Sequence, residues 1–251
     1  MLIESFANKN VLYVIVGSIA LILTMWSRHQ PFPTISKRLG MITFGFLGLL
    51  LLSETAPRPM RLEAVLLTMF VFSGLGLWVG MYHLMKTRRD VIIAPMFGFI
   101  FCISSTGLVV NLWDQLESLE HWVGFITLGA LYSGQTWLVF RGLLIGRLPL
   151  AWSQAGFIAL SRGQLYGTHG AIECFEKAWD AEEEHLNPMA YFALMSIHKF
   201  LNNTDEMNRW SDLLILSGGM DAIDEQWIQA VRKHIVVLTK DSLGDVHDSE
   251  E

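Results

Sequence analysis

Polar and apolar positions are unevenly shared along the chain. Up to about residue 146, long apolar runs alternate with short polar loops, and beyond it the apolar positions thin to a helical period. Five runs mark the first part: Val11 to Trp26, Leu39 to Ser53, Leu62 to Met85, Val91 to Trp113 and Trp122 to Phe140. A membrane-spanning helix needs roughly 20 apolar residues, and about 17 suffice. The second run is short by that measure. Ile35 and Leu39 extend it past Lys37 and Arg38, whose long side chains snorkel outward. In hydrocarbon every backbone group must be paired within its own segment, so each run predicts a helix rather than a strand. Glu4 and Lys9 leave the residues before the first run neutral, and Trp26-Ser27-Arg28 follows it without a small-x-small cleavage site. The first run therefore reads as a retained anchor and not as a leader.

The loops carry an orientation. Arg28, His29, Lys37 and Arg38 lie between runs one and two, and Lys86, Arg88 and Arg89 face only Asp90 between runs three and four. The alternate loops differ: Glu54, Arg58, Arg61 and Glu63 balance, and Asp114, Glu117 and Glu120 stand without a base. Short basic loops stay in the cytoplasm. Five spans then put the N-terminus outside and everything after Arg147 inside, and the expected location is a bacterial-type inner membrane. Trp26, Trp113 and Trp122 sit at run ends, as an interfacial belt requires. Gly76 with Gly80, and Ala130 with Gly134, are small-residue pairs that let helices approach closely, within one chain or between two.

The second part predicts five shorter helices. The first covers about Trp152 to Arg162 and ends in a break at Gly163, Gly167 and Gly170. The second runs to about Glu184, with Ala171, Phe175 and Ala178 on one face. Asn187-Pro188 is a cap followed by proline at the first helical position, and it opens a third helix ending at Leu201. Asn203 with Glu206 resembles a capping box for a fourth helix, whose face is Met207, Trp210 and Leu214 and whose stop is Gly218-Gly219. Asp221 is expected to open the fifth, with Lys233, His234 and Lys240 near its end, where the helix dipole favours positive charge. Residues after Asp241 are acidic and lack core positions, so a disordered tail is expected there.

Composition sharpens the division. Charged residues make up 17% of the 251 positions, against about a quarter in a typical soluble domain. Residues 1–146 hold ten bases and seven acids, whereas residues 147–251 hold eight and seventeen. Two parts so different belong in two solvents. The expected fold is all-α, a polytopic bundle over 1–146 and a small helical domain over 147–241, with an acidic tail at 242–251.

Within the second part, Ala171-Ile172-Glu173-Cys174-Phe175-Glu176-Lys177-Ala178-Trp179 resembles the second helix of a tetratricopeptide repeat, where small and aromatic residues recur at that spacing. The likeness extends over about 152–217, as helix pairs of roughly 34 residues. Tyr166 stands closer to Ala171 than the family pattern has it, Asn202 replaces a usual glycine, and Met207 replaces a usual small residue. The resemblance implies a concave protein-binding surface without catalysis, with Tyr166, Phe175, Tyr191, Ile197 and Trp210 as its candidate partner-binding residues. So short an array needs a cap from the fifth helix, the membrane part or a partner.

Candidate chemistry is sparse. Ser105 and Asn111 in run four, with Ser133 and Gln135 in run five, form the polar set that would line a cavity or else bond helix to helix. Glu182, Glu183, Glu184 and His185 group acids with a histidine, and a solvated helix end accounts for them. His198 and His234 lack a second ligand at helical spacing, so no catalytic residue, metal or cofactor is expected. Cys102 and Cys174 are too few for a disulfide framework. The acidic second part argues against nucleic acid. The expectation is therefore a non-enzymatic membrane scaffold or assembly factor that meets the bilayer through its first part and a protein partner through its second. The alternative is a transport or lipid/glycan-handling subunit with its site between spans four and five.

Overall fold

The computed structural model describes residues 8–87, 89–140, 148–178 and 187–247, with backbone alone at 148–150 and 239–247. Among these residues the secondary structure is helical and includes no strand. The chain divides into two compact units, Met1–Gly146 and Arg147–Glu251.

The first unit contains α1 (Lys9–Trp26), α2 (Pro33–Glu54), α3 (Leu62–Tyr82), α4 (Ile93–Leu112) and α5 (Ser118–Val139). Four of them, counted with their flanking turns, are long and apolar enough to cross a membrane: Lys9–His29, Pro33–Glu54, Leu62–Thr87 and Ile93–Gln115. α5 is 22 residues long, or about 33 Å, which also matches a bilayer core. Its composition keeps it out of that group, because Tyr132, Ser133, Gln135 and Thr136 dilute its apolar residues.

Several boundaries move from the sequence expectation, each for a local reason. α2 begins six residues earlier than its apolar run because Pro33 takes the first helical turn. α4 begins two residues later, since Asp90 accepts from the Ile92 and Ile93 amides at 2.9 and 2.8 Å and so sets the start. α5 begins four residues earlier than Trp122. Glu117 and Glu120 form a reciprocal capping box there, so these acids start a helix rather than fill a loop.

The core of this unit lies where α1, α3 and α4 meet. Leu12, Val16, Ile19 and Leu23 make one stripe of α1, and Val65, Leu66, Met69, Ile93, Phe97 and Ile100 face it from α3 and α4. Phe46, Phe72 and Phe97 stack from α2 through α3 to α4, with ring centroids 4.0 and 5.7 Å apart. α3 and α4 approach so closely that a Cβ on Gly76 would run into the Phe97 ring, and one on Gly80 into the Ala94 backbone. That small-residue pair thus serves packing inside the chain. Gly134, by contrast, has open space around it.

The second unit contains α6 (Leu148–Ser161), α7 (Ala171–Lys177), α8 (Pro188–Phe200), α9 (Thr204–Leu216) and α10 (Glu225–His247). α6 packs on α7, α8 on α9, and α10 returns to pack on α8 and α6. Asn187 caps α8 by accepting from the Ala190 amide at 3.3 Å. Its Nδ2 also donates to the Ala178 carbonyl at 3.0 Å and to Ser153 Oγ at 3.2 Å, so one side chain holds three helices in register. Asn203 caps α9, accepting from Glu206 N at 3.4 Å, and Gly218 ends the segment with φ 105°. That left-handed conformation suits glycine.

α10 differs from expectation at both ends. Asp221 lies in a short turn, Gly219–Ala222, and Asp224 instead starts the helix by accepting from the Gln226 amide at 2.7 Å. The helix continues to His247, past Asp241 where a disordered tail is expected, and residues 248–251 fall outside the described set. Trp227 anchors α10: its Nε1 donates to the Met189 carbonyl at 3.1 Å while its ring meets Phe157 and Phe175.

Candidate functional site

Four of the five candidate array residues are buried. Phe175, Tyr191 and Ile197 are fully enclosed and Trp210 is 2% exposed, whereas Tyr166 is 70% exposed. Tyr191 stacks on Trp210 across α8 and α9, with centroids 6.0 Å apart. Gly156 of α6 faces the Phe175 ring so closely that a Cβ would sit 2.9 Å from it. These four shape the helix pairs from within, and of the five only Tyr166 reaches solvent. Ile215, Leu216 and Met220 are further exposed apolar residues, clustered in sequence at the α9 end. Sequence reasoning missed them because they fall just where the helical period gives way to Gly218-Gly219.

The four candidate intramembrane polar residues do not converge. Ser105 Oγ donates to the Phe101 carbonyl at 2.6 Å, and Ser133 Oγ to the Gly129 carbonyl at 2.8 Å, each within its own helix. Asn111 engages Glu63 at the α3 start. Gln135 also crosses between helices, donating from Nε2 to the Pro95 carbonyl at 2.8 Å. Thr106 and Tyr132 make a further α4–α5 hydroxyl contact at 3.0 Å. Two apolar grooves flank Gln135. One of about 280 Å³ includes Leu77, Met81, Cys102 and Gly134, and one of about 360 Å³ includes Val14, Ile19, Met96 and Phe99. Such walls suit an acyl chain or an apolar side chain, and they hold no acid–base pair.

The most heavily buried charge among the described residues, Asp90, was not singled out from sequence. Asp90 is 2% exposed and Ser36 fully buried. One Asp90 oxygen receives the Ile92 and Ile93 amides, and the other receives the Ser36 hydroxyl. Burial pushes this carboxyl above the usual range, while Ser36 and the two amides pull it down. Arg89 lies over the Phe32 ring at 5.4 Å, a second tie between the same two loops. The signal available in the sequence was an isolated acid directly before an apolar run, in the position of a cap. At the opposite bundle end, Lys9 Nζ donates to Glu54 at 2.9 Å and also to the Met60 carbonyl, and Tyr13 donates to Glu54 at 2.7 Å. A carboxylate thus takes part in fastening each end of the bundle.

In the second unit, Lys177 pairs with Glu173 and holds its carboxyl below the usual range. Lys177 also lies over the Trp152 ring at 4.9 Å. Cys174 is enclosed, and burial with the neighbouring Glu173 pushes its thiol up to about 11, which keeps it protonated at neutral pH. Among the described residues no group of three His, Cys, Asp or Glu is placed to hold a metal ion. Glu182, Glu183, Glu184 and His185 lie outside the described residues. Compared with protein families, with curated proteins and with solved structures, the chain matches none.

Proposed function

We propose that this protein is a non-enzymatic membrane scaffold, an assembly factor or accessory subunit whose second unit recruits a protein partner in a membrane complex. The observation that carries the reading is the joining of an apolar helical bundle to a unit of packed helix pairs built on Ala, Gly and aromatic residues. Two details support a tetratricopeptide-like array. Gly156 against Phe175 is a small residue facing an aromatic across a helix pair. Asn202, in place of a usual glycine, has φ 55°, the left-handed conformation that Asn enters more readily than most residues. α10 would serve as the capping helix, through Trp227. Exposed Tyr166, Ile215 and Leu216 are among the apolar residues available to a partner.

In this reading α5 is a fifth span, shielded in part by α4. The two basic loops face the cytoplasm of a bacterial-type inner membrane, as does the second unit, and the N-terminus is outside. A reporter active only in the cytoplasm should work when fused after Lys240 and fail near Glu117. A second reading, a transport or lipid/glycan-handling subunit, draws on the grooves beside Gln135.

The two readings rank variants in opposite order. A scaffold loses its co-purifying partner when residues 151–251 are removed, and retains it with Asn111→Ala or Gln135→Ala. An interhelical hydrogen bond in a membrane averages only about 0.6 kcal/mol. Retention of a stoichiometric partner by the deletion, with loss in either polar variant at normal protein level, overturns the scaffold.

A further inference from the structure

Both basic loops of the first unit come together at one end of the bundle. Ser36, at the α2 start, donates to Asp90, just before α4, and Arg89 lies over Phe32. Two loops far apart in sequence are thereby tied into one surface. Arg28, Lys37, Arg38, Lys86 and Arg89 are all exposed on it. The one acid within these loops is Asp90, which is buried and occupied by its hydroxyl and amide donors. Among the described residues, the ion pairs are Lys9–Glu54, Lys177–Glu173 and Arg209–Glu206, so none of the five cations has a carboxylate partner. Lys86 is held instead over Tyr82 at 5.7 Å. The collar stands where four apolar helices begin or end, which is the level of the phosphate groups in a bilayer.

We propose that this collar is a binding surface for anionic phospholipid, taking headgroup phosphate diesters on Arg28, Lys37, Arg38, Lys86 and Arg89. The occupant follows from charge and depth together. The surface is positive and has no carboxylate partner among the described residues, and it adjoins the ends of four apolar helices, whose sides suit acyl chains. Arg adds paired donors matched to phosphate oxygens. The Ser36–Asp90 bond contributes by hiding the local negative charge and fixing the spacing of the two loops. The inference does not depend on the scaffold reading, since it needs only a chain that spans a membrane.

The test uses the full chain purified in neutral detergent and titrated with phosphatidylglycerol or phosphatidylcholine, with bound lipid counted by native mass spectrometry. The wild-type chain should prefer phosphatidylglycerol by at least about tenfold, and the preference should shrink as salt rises. A basic residue near an anionic surface is worth about fivefold, so Arg89→Gln should cost about that factor. Arg28→Gln/Lys37→Gln/Arg38→Gln/Arg89→Gln should bring the two lipids level. Arg28→Lys/Arg38→Lys/Arg89→Lys, which keeps the charge, should keep the preference. Arg58→Gln/Arg61→Gln, exposed at the other end of the bundle, should change nothing. Equal affinity of the wild-type chain for both lipids overturns the proposal, as does an equal loss in the Arg58/Arg61 variant.

Discussion

The two units use the same helix for opposite surroundings. In the first, Leu49, Leu52, Leu75 and Trp78 point outward, each 65% exposed or more, while Asp90, Ser36, Thr43 and Ser73 are buried. In the second, Trp152, Phe175, Phe192 and Trp210 are buried, and outward positions are mostly polar. Hydroxyls do not share the contrast. Thr24, Thr43, Thr68, Ser73, Ser104 and Thr106 turn back onto carbonyls of their own helices, the cheapest bond where water is absent. In the second unit Ser161 and Ser217 do the same, and side chains cap helix starts in both units: Asp90 and Glu117 in the first, Asn187, Asn203 and Asp224 in the second. The units thus differ in what the helix sides face, and share the way helix ends are fastened.

Three substitutions sharpen that comparison. The largest effect is expected from Phe175→Ala, which empties a fully enclosed aromatic site between Gly156 and Trp227. It should cost about 3–5 kcal/mol of second-unit stability, read by tryptophan fluorescence on denaturation, and leave the first unit's transition in place. Loss of both transitions together would show that the units do not unfold separately.

Gly80→Ala comes next, because its methyl would meet Ala94 backbone rather than a movable side chain. Overpacking of this kind costs about 1–3 kcal/mol. Gly134→Ala, with nothing near it, should be neutral or slightly stabilising through helix propensity. Equal outcomes in mixed-micelle unfolding would mean that α3 and α4 separate freely.

The smallest effect concerns Asp90 and appears mainly as a slope. Burial raises the native carboxyl above its unfolded value of about 3.9. Between those two values the native chain binds more protons than the unfolded one, so stability rises as pH falls through that window and levels off below it. Asp90→Asn should remove the slope while the amide oxygen still accepts from Ile92 and Ile93. A slope that survives in the variant assigns it to another group, of which His83 is the nearest titratable one acting on Asp90.

The all-helical class and the placing of apolar helices were legible because run length and helical period are properties of consecutive residues. The starts at Asn187 and Asn203, and the stop at Gly218, were legible for the same reason. The Ser36–Asp90 and Lys9–Glu54 fastenings were not, since each joins residues far apart in sequence whose local patterns suggest only loop and helix end. The partner-binding candidates illustrate another limit. A helical face identifies which residues share a side, and Phe175, Tyr191, Ile197 and Trp210 do so, but their side is the interior. Likewise, Ser105 and Ser133 suggested either a polar lining or a bond from helix to helix, and each is satisfied by a carbonyl four residues behind it in its own helix.

Trp227 carries a consequence for synthesis. Phe157 and Phe175 leave the ribosome well before it, yet both their rings are covered by its indole. Until α10 emerges, the growing chain carries a bare aromatic surface. A translation pause between α9 and α10 would prolong that exposure, when sticking to lipid or to another nascent chain competes most with correct closure. Timing of elongation, and not only the identity of residues, then becomes a determinant of yield.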